Sequence, residues 1–192
     1  MAVVVSDHRP FATAADLDAW LRLHHASSSE LWVRVFKKDS GTSSVTWNDM
    51  VIAALTWGWI DGQRQSLDGV SFVQRLTPRR RRSTWSKKNC EHADRLIAAG
   101  LMQPAGLAQV QAARDDGRWD AAYAGSADMV MPDDLLAALA DNAAAAAAFA
   151  ALKRTQLFSI YFAVTSAAKP ATRIKRINNL VKKLSEPSSA GE

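Results

Sequence analysis

Cysteine occurs once in the 192 residues, as Cys90, so the chain can close no internal disulfide and build no thiolate cage for a metal. A single thiol suits a reducing cytoplasm. Histidine is scarce as well. His8, His24, His25 and His92 show no metal-ligand spacing, and the adjacent pair His24 and His25 points to different sides of a helix. Long apolar runs are missing: the longest, Ala143 to Leu152, is well short of the about 20 residues that cross a bilayer. Met1 to Pro10 reaches Asp7, His8 and Arg9 after only three valines, so it does not read as a signal peptide. Gly-x-Gly-x-x-Gly, a Walker-type Gly-Lys-Ser/Thr, Gly-x-Ser-x-Gly and His-Glu-x-x-His are all absent. These absences lead to the expectation of a cytoplasmic protein with no membrane span, no metal and no cofactor.

What is present is an ordinary globular composition, 48% hydrophobic and 22% charged. The net charge of +5 is mild but unevenly placed. Residues 75–95 carry a net +6 and residues 169–183 another +6, which leaves −7 for the rest of the chain. The protein reads as an acidic body with two basic segments.

Local patterns predict an α+β fold: a small, mostly antiparallel sheet with helices, followed by an α-helical C-terminal part. The expected boundaries are 10–124 for the first part and 132–185 for the second, with a disordered tail over 185–192. Thr13 with Asp16, and Thr46 with Asp49, resemble capping boxes opening helices over 13–26 and 46–57. Leu31, Val33 and Val35 alternate with Trp32, Arg34 and Phe36, as in a strand with one buried face. Trp59 to Leu67 and Val70 to Leu76 read as a hairpin turned by Asp68-Gly69, with Thr77-Pro78 ending the second strand. Asn89 is a candidate cap for a helix from Cys90 to Ala99, and Pro104 opens the next. Residues 123–132 read as a linker, and helices are expected over 133–140, 143–152, 156–167 and 171–184.

Several short motifs occur in a specific order. They are Gly58-Trp59-Ile60-Asp61-Gly62, Pro78-Arg79, Ser83-Thr84-Trp85-Ser86-Lys87-Lys88-Asn89, Ala99-Gly100-Leu101-Met102 and Asp116-Gly117-Arg118-Trp119-Asp120-Ala121-Ala122-Tyr123. Ala168-Lys169-Pro170-Ala171-Thr172-Arg173 and Arg176-Ile177 complete the set. Together they resemble the YdeI/OmpD-associated, or bacteriocin-protection, family over roughly residues 10–185. The resemblance implies a cytoplasmic bacterial α+β protein with a helical C-terminal part and a role in stress or bacteriocin resistance. It implies no settled catalytic residues. Arg80-Arg81-Arg82 is more basic than the family's usual stretch, and Trp57 stands where a smaller residue is expected.

The candidate ligand-binding set is Trp59, Asp61, Arg75, Arg79, Trp85, Ser86, Asn89, Trp119 and Arg173. The arginines of the 79–82 loop suit phosphate or carboxylate, and an exposed Trp85 would stack on a base or sugar. The competing expectation is a solvated loop with Trp85 turned into the core. Arg173 projects into the apolar sector of its helix, formed by Ile174, Ile177, Leu180, Val181 and Leu184, and therefore needs an acid or a bound anion. Asp61, or another acid of the sheet part, is the expected partner. Trp57 and Trp59 either wall a pocket or belong to the core, and Trp119 and Tyr123 would share a face if the helix before them resumes. Cys90, beside Lys88 near a helix start, lacks a partner base.

Three function classes follow. The favoured one is a non-enzymatic stress or bacteriocin-protection protein binding a small anionic ligand or a protein partner. The second is a nucleic-acid-binding module using the Arg79–Arg82 loop, and the third an enzyme with Asp61 in its site.

Overall fold

The computed structural model describes residues 7–167 and 169–186. From residue 187 on, the expected tail lies outside them, while Ser185 still belongs to the last helix. The chain divides into two compact units with the boundary between Ala121 and Ala122.

Among the described residues, the first unit is a four-stranded sheet with four helices. Its strands are β1 (Arg9–Pro10), β2 (Leu31–Phe36), β3 (Trp59–Ser66) and β4 (Ser71–Pro78), in the order β1-β2-β4-β3. β1 runs parallel to β2, and the other two pairings are antiparallel. Leu31, Val33 and Val35 are buried as the alternation requires, and β2 pairs Leu31 with Leu76 and Val33 with Gln74.

β3 and β4 lose register between Asp61 and Arg64: Asp61 faces Leu76, whereas Arg64 faces Gln74. One extra residue on β3 makes this a bulge. The Gly62 carbonyl accepts the Gln74 side-chain amide at 2.8 Å, which explains a glutamine only 3% exposed in a central strand. The hairpin loop is wider than the expected two residues. Leu67 and Asp68 both donate backbone N–H bonds to the Ser71 carbonyl, and the Asp68 carboxylate accepts from Val70 N and Ser71 Oγ at 3.0 and 2.8 Å. An aspartate that bonds its own downstream backbone competes with a tight turn. Thr77 and Pro78 remain within β4, where Pro78 pairs with Trp59 at the strand end.

The helices are α1 (Ala14–His24), α2 (Trp47–Thr56), α3 (Lys87–Ala98) and α4 (Pro104–Asp115), with a 3-10 turn at Lys38–Ser40. Both expected capping boxes form. Thr13 Oγ1 accepts from Asp16 N at 3.2 Å while Asp16 Oδ2 accepts from Thr13 N at 3.0 Å, and Thr46 with Asp49 does the same at 3.2 and 2.8 Å. α1 buries Leu17 and Leu21 against the sheet core. α2 is the central helix, with six buried residues in ten.

α4 meets the end of α2 at backbone distance. A Cβ on Gly106 would lie 2.5 Å from the Thr56 carbonyl oxygen and 2.7 Å from that of Leu55. Gly58, with φ of 76°, has the Ala105 carbonyl oxygen 2.7 Å from where its own Cβ would be. Glycine is required on both sides of this crossing.

The second unit is helical: α5 (Asp133–Ala140), α6 (Ala143–Ala150), α7 (Arg154–Thr165) and α8 (Pro170–Ser185). Its core is Leu135, Leu139, Ala145, Val164 and Ile177, with Phe149, Ile160, Leu180, Val181 and Leu184 packed against them. α6 is capped by the Asn142 side chain at 3.0 Å and lies close on α8, as a helix with almost no side-chain bulk can. Ile174 departs from the expected stripe and is 58% exposed. The stretch expected as a linker is tied down: Ala124 N donates to the Tyr161 hydroxyl at 3.0 Å, and Arg154 donates to the carbonyls of Ser126 and Ala127.

Candidate functional site

The basic loop follows β4 directly, and its first arginine is not on the surface. Arg79 is 6% exposed. Its backbone N–H donates to the Gly58 carbonyl at 3.0 Å, and its Nη1 donates to the Thr84 carbonyl at 3.2 Å. The guanidinium lies 3.6 Å above the Trp85 ring, close enough for a strong cation–π contact away from water. Trp85 is only 2% exposed, so of the two expectations the core tryptophan beside a solvated loop holds and the stacking platform for a ligand does not. The Trp119 ring lies 4.9 Å from it, and the Arg114 guanidinium stands 4.8 Å over Trp119. Arginine, indole, indole and arginine thus form one continuous stack, and Arg114 is also paired to Asp94 at 2.8 Å.

Above this stack the chain makes a tight turn. Ser83 N donates to the Arg80 carbonyl at 2.9 Å, and Arg80 N donates to Ser83 Oγ at 3.0 Å. Arg118 clamps it from the side, donating to the Ser83 carbonyl at 3.0 Å and to Asp116 at 2.8 Å. Desolvation works against the Asp116 charge. The Arg118 hydrogen bonds and the charges of Arg118 and Arg81 prevail and hold its carboxyl below the ordinary carboxylate range. The arginines therefore divide: Arg79, Arg114 and Arg118 hold the turn, while Arg80, Arg81 and Arg82 are exposed on it.

Ser86, not Asn89, caps α3. Ser86 Oγ accepts from Asn89 N at 3.1 Å, the helix starts at Lys87, and Asn89 sits within its first turn. Ser has the better cap position because only it precedes the first helical residue with extended backbone. Lys87 and Lys88 continue the exposed basic surface.

Trp59 is core. Its Nε1 donates to the His25 carbonyl at 3.1 Å, and its ring and that of Trp20 meet edge to face with centres 6.1 Å apart. Trp57 is also buried and donates to Asp18 at 2.7 Å. Gly62 has no neighbour nearer than 3.7 Å to where a Cβ would stand. Asp61 is half-buried and accepts from Trp47 Nε1 at 3.3 Å. Trp47 is 43% exposed, with Lys88 Nζ 5.5 Å from its ring centre. Sequence reasoning missed Trp47. The usable signal was its place as the first helical residue after the Thr46 cap, outside the buried run of α2. Arg75 pairs with Glu30 at 2.6 Å and stands 5.9 Å from the Trp32 ring centre.

Arg173 does need an acid, but the acid is Asp134, not Asp61. Its Nε and Nη2 reach the two carboxylate oxygens at 2.6 and 2.8 Å, joining α8 to the start of α5 within the helical unit. That hydrogen-bonded pairing lowers the Asp134 pKa and raises that of Arg173. Trp119 and Tyr123 also part company. The chain turns after Asp116 instead of resuming a helix, Trp119 joins the indole stack of the first unit, and Tyr123 packs on Phe158 and Phe162 of the second.

Burial pushes the Cys90 thiol up to about 11, with Asp94 adding to the shift, so the thiolate that nucleophilic chemistry needs is scarce at neutral pH. Burial also lowers the His92 pKa, helped by the neighbouring Arg95 and Lys88. His24 stacks on Trp20 and His25 on Trp57, each ring centre 4.7 Å from its partner. Among the described residues no three His, Cys, Asp or Glu side chains are grouped to hold a metal ion, and no helix is long and apolar enough to cross a membrane.

Residues 128–186 match the family described as Bacteriocin-protection, YdeI or OmpD-Associated. That match is narrower than the expected 10–185. Of the motifs that carry the resemblance, only those from Ala168 to Ile177 fall inside it. No curated protein and no solved structure matches the chain. Residues 9–109, just over half of the chain and including its whole sheet and the basic turn, match a domain of unknown function, DUF8412, and the chain belongs to that family.

Proposed function

We propose that the chain is a non-enzymatic cytoplasmic protein with a bacteriocin-protection-associated role, and that the arginine-bearing turn is its contact surface for an acidic protein partner. The observation that carries the reading is the division of the arginines. Arg79 and Arg118 bond to backbone carbonyls of the turn, so the turn is held in one shape while Arg80, Arg81 and Arg82 face outward. A preorganised set of guanidinium groups binds carboxylates with little further loss of freedom. An exposed turn suits the face of a protein better than a small enclosed molecule. In this reading the sheet part makes the contact and the helical part carries the family's protective role.

The test uses the intact chain and poly-L-glutamate as probe. Wild-type protein binds it, and the triple variant Arg80→Gln, Arg81→Gln, Arg82→Gln weakens binding about tenfold or more at low salt. Equal affinity of the two proteins sinks the reading. In parallel, bacteria expressing the triple variant should survive a bacteriocin less well than bacteria expressing the wild type.

One observation favours a nucleic-acid reading: Trp47 presents an exposed indole next to Lys88. In that case single-stranded oligonucleotide outcompetes poly-L-glutamate, and Trp47→Ala lowers the affinity by about 1–3 kcal/mol.

A further inference from the structure

We propose that a cavity at the β1 edge of the first unit is a binding site for a small zwitterion of amino-acid size. The cavity has a volume of about 180 Å³, room for about six waters or one small organic molecule. Trp20 of α1 and Leu31 and Trp32 of β2 give it apolar walls. Arg9 and Asp7 line it with opposite charges.

The charges of its lining point to a ligand, because two of them are uncommitted. Among the described residues neither Arg9 nor Asp7 has a salt bridge, whereas Glu30, also in the lining, is engaged by Arg75 at 2.6 Å.

A free cation and a free anion beside the Trp20 and Trp32 rings in one space match one chemistry. A carboxylate takes the Arg9 guanidinium, an ammonium takes Asp7, and a short aliphatic group lies against the indoles. The Arg9 guanidinium stands over the Trp20 ring, 6.0 Å from its centre, so the carboxylate site adjoins the aromatic wall. The Trp20 and Trp59 rings meet edge to face, their centres 6.1 Å apart. None of these residues belongs to the arginine turn.

The experiment is calorimetric titration of the intact chain with three probes: L-leucine, isocaproate (the same skeleton without the ammonium) and isoamylamine (without the carboxylate). L-leucine binds, and each truncated probe binds about tenfold more weakly or worse, because each leaves one charged group of the site unpaired. Arg9→Gln, a change at an exposed strand residue, weakens L-leucine about tenfold. Lys175→Gln in the second unit leaves it unchanged. Equal binding of L-leucine and isocaproate overturns the zwitterion assignment. No binding of any probe at tens of millimolar, or full affinity in a folded Arg9→Gln variant, overturns the site.

Discussion

The two basic segments carry the same net charge and use it differently. In the turn after β4, arginines bond inward to carbonyls and indoles, and this holds a neighbouring group of arginines out in solvent. In α8, Arg173 and Arg176 bond inward as well, Arg173 to Asp134 and Arg176 to the Ala163 carbonyl and Ser166 Oγ, but they tie helices together. The cations that remain exposed on α8, Lys175, Lys182 and Lys183, are spread along a helix face. A guanidinium forks onto oxygens in a fixed plane, whereas an ammonium stays hydrated on a flexible stem. The lesson is that net charge per segment says little. What matters is which cations are fixed, and whether the rest are held as a group.

The sharpest way to break the comparison is Trp85→Ala. It removes the centre of the arginine–indole stack, opens a large hole in the first unit and should lower its stability by about 3–5 kcal/mol. Urea unfolding followed by the remaining tryptophans measures this. A loss below about 1 kcal/mol would mean the turn is not held from beneath.

Arg173→Met tests the corresponding contact in α8. The pair is partly exposed, so solvent screening limits its contribution to at most about 1 kcal/mol at neutral pH. The sign with pH follows from the lowered Asp134 pKa. The contribution is complete above the ordinary carboxylate range and fades as the pH falls through and below it. Wild type and variant should therefore unfold at converging urea concentrations as the solution is acidified, and a gap that widens in acid contradicts the pairing.

The smallest effect expected is the stability change in the triple variant of Arg80, Arg81 and Arg82. Exposed residues outside the stack should change stability by no more than about 0.5 kcal/mol, even as binding is lost. A larger destabilisation would place these arginines with Arg79 as supports of the turn.

Much of the architecture was legible because its signals are local. Thr13 with Asp16, Thr46 with Asp49, the alternation of β2, Pro104 and the four C-terminal helices all depend on residues a few places apart. The bulge at Gly62 depends on a cross-strand contact with Gln74, and the parallel pairing of β1 and the Gly106 crossing depend on segments far apart in the chain. So does the candidate site. The need of Arg173 for an acid was readable from its helix face, but the choice of Asp134, 39 residues away, depends on how α5 meets α8. Trp85 within a basic run reads either as a stacking aromatic or as core, and the indole of Trp119 from beyond α4 is what covers it. Basic character was visible, and its division into supports and contacts was not.

The bulge in β3 has a consequence for how the chain avoids misfolding. β3 beyond Asp61 is largely exposed, and its Gln63, Arg64 and Gln65 offer no apolar pattern to distinguish one alignment from the next. The Gln74 amide supplies the distinction. If β3 slid one position along β4, the Gly62 carbonyl would move away and leave that buried amide dry, at about 1–3 kcal/mol. One polar side chain thus acts as a proofreading contact for a hairpin that hydrophobic patterning would leave free to mispair.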